Sequence, residues 1–245
     1  MKDNFSSRSD AYANFRPSYP PAMAAAIAAQ SPANHLVWDC ATGNGQMAKL
    51  LANHFQQVIA TDISANQLAL ATQLPNIEYR QEPSHQSTLL DHSVDAVVIA
   101  QAIHWFDFDA FYKEARRVVR PGGLITVVGY PLLEPRHPAI QNALLHFYSI
   151  TLGPYWDSER HYLDEEYETI PFPFEELPFE EQYMVYQWDV STMIGFLNSW
   201  SAVQHYIEKN GINPVTAFED ELRMVWPKDE KVVISFKMVG RMGRV

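Results

Sequence analysis

A chain of 245 residues with 47% hydrophobic, 13% aromatic and 19% charged residues is globular in composition, and its length suits one large domain over residues 1–245. Eighteen Lys and Arg against 29 Asp and Glu leave a net charge of −11, which repels nucleic-acid phosphates and acidic lipid headgroups and excludes both as partners. The longest apolar run, Ala22 to Ala29, is far short of the roughly 20 residues a membrane span needs; the N-terminus is too polar for a signal peptide, and the lone Cys40 permits no disulfide framework or thiolate zinc cluster, so a cytoplasmic protein without a metal is expected.

In chain order, Leu36-Val37-Trp38 predicts a short strand ending at Asp39 and running into Ala41-Thr42-Gly43-Asn44-Gly45. Met47, Leu50, Leu51 and Phe55 then recur at helical spacing over Gln46–Phe55, and Val58-Ile59-Ala60 predicts a second buried strand ending at Asp62. Ser64 is an N-cap for a helix reaching Leu74, and Pro75-Asn76 precedes a third strand at Ile77–Tyr79. Val94–Ala100 is an apolar run, interrupted only by Asp95, of the kind parallel sheets bury on both faces. Asp107–Arg120 is an amphipathic helix, acidic at its start and basic at its end, broken by Pro121-Gly122-Gly123 before a fifth strand at Leu124–Val128. Residues 131–177 are irregular and aromatic and predict an inserted cap. Phe179–Trp188 predicts a strand, Ser201–Asn210 a helix closed by Gly211, Asn213-Pro214 the start of another helix, and Lys231–Val239 a terminal strand. Strands alternating with helices in this way predict a doubly wound α/β sheet with a ligand crevice beyond the carboxyl ends of its strands.

The turn after the first strand admits two readings. Gly43-Asn44-Gly45-Gln46-Met47-Ala48 fits G-x-G-x-x-G/A, the dinucleotide fingerprint. The same segment fits D-x-G-x-G-x-G with Ala41 in place of the first glycine. An acid at position 39 opposes an anionic pyrophosphate at the helix N-terminus, whereas it can help hold the cationic amino-acid end of S-adenosylmethionine, directly or through water. Asp62, at the end of the second strand, can accept from two ribose hydroxyls in either reading. The late strands do not repeat the βαβαβ half that a dinucleotide fold requires.

Together Phe5, Tyr12, Arg16-Pro17-Ser18-Tyr19-Pro20, the Asp39–Gly45 turn, Gln101-Ala102-Ile103-His104-Trp105-Phe106, Arg120-Pro121-Gly122-Gly123 and Ser199-Trp200-Ser201 resemble a class I S-adenosylmethionine-dependent methyltransferase of the type 11 family, most similar to its trans-aconitate methyltransferase-like group. The resemblance spans nearly the whole chain. It implies a Rossmann-like, seven-stranded, mostly parallel sheet with the last strand antiparallel, a lid formed by residues 1–30, and S-adenosylmethionine as cofactor. It also implies a cofactor site made by Tyr12, Asp39, Ala41, Gly43, Gly45, Gln46, Asp62, Ile63, Ser84, His85 and Gln101. Two positions depart from the family pattern. Ala41 adds a methyl where the backbone bends, and Ser84-His85 stand where a small residue and an acid usually meet the adenine amine; His85 or Gln86 could bond the base edge instead.

On the acceptor side, His104 is the candidate catalytic residue. It is either a general base, useful if the acceptor is a phenol or amine, or a histidine that holds its loop by a hydrogen bond. Trp105 and Phe106 either floor the acceptor pocket or pack in the core. Arg16 can grip an acceptor carboxylate through two parallel hydrogen bonds or pair with a surface acid. Cys40 reads as a small buried residue with no base to activate it. The expectation is methyl transfer to a small-molecule acceptor, a carboxylic acid, with a nicotinamide-dependent oxidoreductase and a non-catalytic S-adenosylmethionine-binding protein as alternatives.

Overall fold

The computed structural model describes residues 16–228 and 230–245; Tyr12, Phe5 and the first half of the expected lid lie outside them. The N-terminal strands are β1 (Leu36–Cys40), β2 (Gln57–Asp62), β3 (Ile77–Gln81), β4 (Val94–Ala100) and β5 (Val119–Gly129). Downstream come two short strands, β6 (Glu134–Pro135) and β7 (Glu175–Leu177), then β8 (Gln182–Trp188) and β9 (Val232–Arg244). The sheet runs β3-β2-β1-β4-β5-β9, and β8 pairs with the far edge of β9. Neighbours from β3 to β5 pair in parallel, while β9 is antiparallel to both β5 and β8, so among the described strands β9 alone runs against the rest. Strand order reverses between β1 and β4, the switch point at which a crevice opens.

Alternation along the strands sends side chains into two apolar layers. Val37, Val58, Val98 and Leu124 face one layer with Met23 and Ile27 of α1 (Pro21–Gln30) and Met47 and Leu51 of α2 (Gln46–Leu51). Trp38, Ile59, Val97 and Ile125 face the other, with Phe111, Ala115 and Val118 of α4 (Phe108–Val118). The acid within the apolar run of β4, Asp95, is fully buried. It accepts from the amides of His35 and Leu36 at 2.7 and 2.9 Å and pairs with Arg120 at 2.6 Å, so its charge is compensated where β1 and β4 begin.

Ser64 caps α3 (Ala65–Ala69) by accepting from the Gln67 amide, but the helix stops well short of Leu74, tightening into three-residue bonds at Leu70 and Ala71. The helix after the glycine turn likewise ends at Leu51, although Phe55 is still buried. Pro121-Gly122-Gly123 does not separate helix from strand. It forms an irregularity inside β5, which pairs through Val94 with Val119 and resumes at Ala96 with Leu124. Gly122 has φ +75°, and its amide donates to the carbonyl of Val245, so the end of the chain secures the bulge.

Residues 131–177 are more regular than expected. They contain α5 (Pro138–His146), a wide turn at Phe147–Thr151 and α6 (His161–Asp164), and at each end a short strand joins them to β9. Their aromatic rings pack inward: Phe147 stacks on Phe218 at 4.1 Å, and Tyr148 and Trp156 meet Trp200 at 5.7 and 5.4 Å. Phe218 belongs to α9 (Pro214–Val225), and Trp200 precedes α8 (Ser201–Asn210). A further helix that the sequence reading omits, α7 (Val190–Leu197), starts where Asp189 accepts from the Thr192 amide at 2.8 Å.

Candidate active site

A cleft partly open to solvent lies beyond the carboxyl ends of β1, β2, β4 and β5. Its first wall is the turn after β1. Ala41, Gly43 and Gly45 have φ of +58°, +58° and +80°, so three left-handed residues fold five positions tightly against the sheet. Ala41 adopts at some steric cost a conformation that glycine takes freely, about 1 kcal/mol or more for an L-residue. At Gly45 a Cβ would collide with the Tyr79 hydroxyl, which donates to the carbonyl of Thr72. Glycine is therefore required there twice over, by φ and by space.

Asp62 ties this turn to the next loop. Its Oδ2 accepts from the Gly43 amide at 2.8 Å and its Oδ1 from the Ser64 amide at 2.9 Å. Asp39, by contrast, stands behind the turn. It is fully buried, absent from the cleft wall, and its Oδ2 accepts from the Thr42 hydroxyl at 2.5 Å. Burial pushes its pKa up to about 7, with the Thr42 bond and the Ala48 amide opposing the shift and the charge of Asp62 adding to it. Asp39 braces the turn here and makes no direct wall of the cleft.

Gln101, φ +57°, closes the end of β4. Its side chain bridges to Tyr130 just beyond β5, accepting from the Tyr130 amide at 2.8 Å and donating to its carbonyl at 3.0 Å. His104 and Trp105 follow in a single helical turn, Ile103–Trp105, and both line the cleft. His104 is 5% exposed, and its Nδ1 lies 3.1 Å from the hydroxyl of Tyr167, a fully buried residue held at φ +63°. Burial, then the positive charge of Arg160, lowers the His104 pKa to about 3, so the imidazole is neutral at physiological pH and a weak base.

Arg16, Ala41, Gly43, Gln46, Asp62, Ile63, Gln101, His104 and Trp105 thus share one cleft. Gly45, Ser84, His85 and Phe106 do not reach its wall. Gly45 sits beneath the turn against Tyr79. Ser84 is buried and His85 exposed, in a loop held to α4 where Glu114 accepts from Ser87 and Arg117 donates to the carbonyls of Ser87 and Leu89. Phe106 packs edge-on against Phe111 at 4.9 Å in the core beneath α4.

The cleft also recruits Tyr19, Tyr130, Trp156, Asp157, Arg160 and Trp200, none of which the sequence reading assigned to the site. Trp156 was visible only as one aromatic residue of the cap. A signal for Arg160 existed in composition, since Arg136 and Arg160 are the only Arg or Lys residues among the many acids of positions 131–177. Arg16 donates to the carbonyl of Ser199 at 3.2 Å and lies 5.5 Å from the Phe196 ring centre, which anchors the N-terminal segment to α7 beside the cleft.

A family model described as a methyltransferase domain matches residues 38–127. A candidate methyltransferase of Dictyostelium discoideum is 32% identical over 209 residues, covering 84% of this chain and 80% of that protein. An uncharacterized methyltransferase of Mycobacterium tuberculosis is 37% identical over 130 residues, 52% of each chain. Among solved structures, a candidate type II methyltransferase from Anaeromyxobacter dehalogenans superimposes with a TM-score of 0.86 at 33% identity, over 94% of this chain and 98% of that one.

Proposed function

The chain belongs to the class I methyltransferases that use S-adenosylmethionine, and from that premise we propose that it methylates a small carboxylic acid on oxygen, as a member of the trans-aconitate methyltransferase-like group. In this reading the chain is one domain and residues 131–177 cap the acceptor, while the second half of the expected 1–30 lid, α1, is not free to close because Met23 and Ile27 fix it in the core.

The cleft residues suit the cofactor. Around Gly43 a Cβ would meet nothing closer than 3.9 Å, so the turn leaves open space rather than protein against it. Asp62 supplies acceptor oxygens suited to the two ribose hydroxyls, and Gln46, Ile63 and Gln101 on the same cleft wall would help to hold the bound cofactor. When bound, S-adenosylmethionine supplies an electrophilic methyl: an acceptor oxygen forms the new O–C bond as the C–S bond breaks, its electron pair passing to sulfur.

The observation that carries the acid reading is the state of His104. An imidazole whose pKa is about 3 removes a proton from a phenol or an ammonium poorly. Asp39, the acid whose pKa reaches neutrality, is walled off behind the turn. A carboxylate acceptor is already ionised and requires neither. Its rate derives from being held in line with the methyl at near-attack distance, for which the chain offers the guanidinium of Arg16, the neutral ring of His104 and the indole of Trp105. The test is turnover of a panel of carboxylic acids, phenols and amines with S-adenosylmethionine, using wild type and His104→Gln. Acids should be methylated, with a rate nearly flat from pH 6 to 8 and most of it retained in the variant. Preferential turnover of phenols or amines, with a loss of a hundredfold or more in the variant, would refute the acid reading and restore His104 as a base.

A further inference from the structure

We infer that Arg160 is an acceptor-binding residue of the cleft, in addition to Arg16, and that it seats a carboxylate carried on a flat, apolar body. This deepens the acid reading above and rests on it.

Arg160 ends the short turn Ser158–Arg160, which leads into α6, and its side chain is 18% exposed. One edge of its guanidinium is fastened to the protein. Nε donates to the Tyr148 hydroxyl and to Asp164 Oδ1, both at 3.1 Å, and the Tyr148 hydroxyl in turn donates to Asp164. The guanidinium carbon lies 5.1 Å from the Trp156 ring centre and 5.7 Å from that of Tyr148, and Trp156 is itself tied to the Tyr148 carbonyl at 3.1 Å. The other edge, Nη1 and Nη2, makes no hydrogen bond among the described residues. Arg116, Arg117, Arg120 and Arg241 differ, because each gives terminal nitrogens to protein carbonyls or carboxylates. Arg160 is thus a preorganised fork with its open prongs on a cleft wall, the geometry that matches a carboxylate.

The surroundings define the rest of the ligand. Asp164 already occupies one edge, and Asp157 lies on the same wall with its Oδ2 3.8 Å from His205 Nδ1. A monoanion suits such a seat, whereas a dianionic phosphate ester would bring a second, uncompensated charge toward two carboxylates. The half-buried Trp105 and Trp156 line the same cleft with the buried Trp200 against Trp156, an aromatic lining that suits an aromatic or conjugated body. Methylation removes the carboxylate charge, so Arg160 grips the acid more firmly than it grips the transition state or the ester. Its contribution falls on KM, and the neutral product leaves a seat that no longer holds it.

The test titrates the S-adenosylhomocysteine-loaded protein with trans-cinnamate, trans-cinnamamide and hexanoate by calorimetry, in wild type, Arg160→Gln and Arg160→Lys. Cinnamate should bind at least tenfold more tightly than its amide and than hexanoate. Arg160→Gln should weaken cinnamate at least tenfold and Arg160→Lys by less, with S-adenosylhomocysteine affinity unchanged as the check on folding. In turnover of any acid that serves as acceptor, Arg160→Gln should raise KM with kcat held or increased. Wild-type cinnamate affinity in Arg160→Gln would overturn the inference and leave the acid reading standing. Equal binding of acid and amide by the wild type would overturn the acid reading and the inference with it, and hexanoate matching cinnamate would overturn the flat body.

Discussion

Two buried groups pull the stability of this protein in opposite directions with pH, and single substitutions should expose each. Asp39 keeps its proton in the folded state up to about pH 7, against an ordinary value of 3.8. Folded chains therefore hold a proton that unfolded chains have lost, and stability present below about pH 4 falls as pH rises through 7. At about 1.4 kcal/mol per pH unit, the loss approaches about 4 kcal/mol. His104 behaves inversely. Its folded pKa of about 3 lies below the ordinary 6.5, so its stability is present above pH 6.5 and is lost as pH falls toward 3, again by about 4 to 5 kcal/mol. Between about pH 4 and 6.5 the slopes cancel in the wild type. Asp39→Asn mimics the protonated acid and should remove one slope: urea unfolding of the variant should become steeply more favourable to the fold as pH rises from 4 to 6.5. It should exceed wild type by up to about 4 kcal/mol at pH 8. His104→Gln should do the reverse, losing stability from pH 4 to 7. If the difference between Asp39→Asn and wild type is the same at pH 4.5 and pH 8, Asp39 does not hold its proton in the folded state and the reasoning fails.

Other outcomes follow from the cleft. Asp62→Ala should weaken S-adenosylhomocysteine by about 1 to 3 kcal/mol, measured by calorimetry, through lost hydroxyl bonds; equal affinity would remove Asp62 from the site. Gly45→Ala should cost at least about 1 to 2 kcal/mol for its left-handed backbone, plus the displacement of the Tyr79 hydroxyl. Adding Tyr79→Phe should recover only part of that loss in urea unfolding, since φ is unchanged; full recovery would show that the clash alone mattered. Arg16→Gln should raise KM for an acidic acceptor about tenfold, a loss of about 1.4 kcal/mol, with S-adenosylhomocysteine affinity unchanged. A tenfold weakening of S-adenosylhomocysteine would assign Arg16 to the cofactor instead.

The sheet was legible because parallel strands buried on both faces leave long apolar runs, such as Val94–Ala100 with its single interruption at Asp95, and because their ends carry local chemistry. Ser64, Asp107 and Asn213 accept from amides two or three residues ahead, and Gly211 closes α8 with φ +72°. These are short-range effects that a neighbouring sequence determines by itself. The same holds for the Asp39–Gly45 turn and Asp62, whose positions follow from strand ends. Tertiary structure decided what local pattern could not. Asp39 was expected at the cofactor, but the depth of β1 puts its side chain behind the turn. Phe106 follows two cleft residues, yet its ring enters the core because the chain turns from the single helical turn at Ile103–Trp105 toward α4. Ser84 and His85 sit in a loop whose anchors, Glu114 and Arg117, lie about 30 residues on in sequence, so its placement is set by tertiary contacts. Above all, Trp156 and Arg160 of the cap and Trp200 beyond it come to share a cleft with His104 only through tertiary packing, and the assembly of segments so far apart in the chain carries no periodicity to read. Burial and charge at such contacts are properties of the assembled cleft, which is why the sequence could nominate His104 but only the fold could make it a weak base.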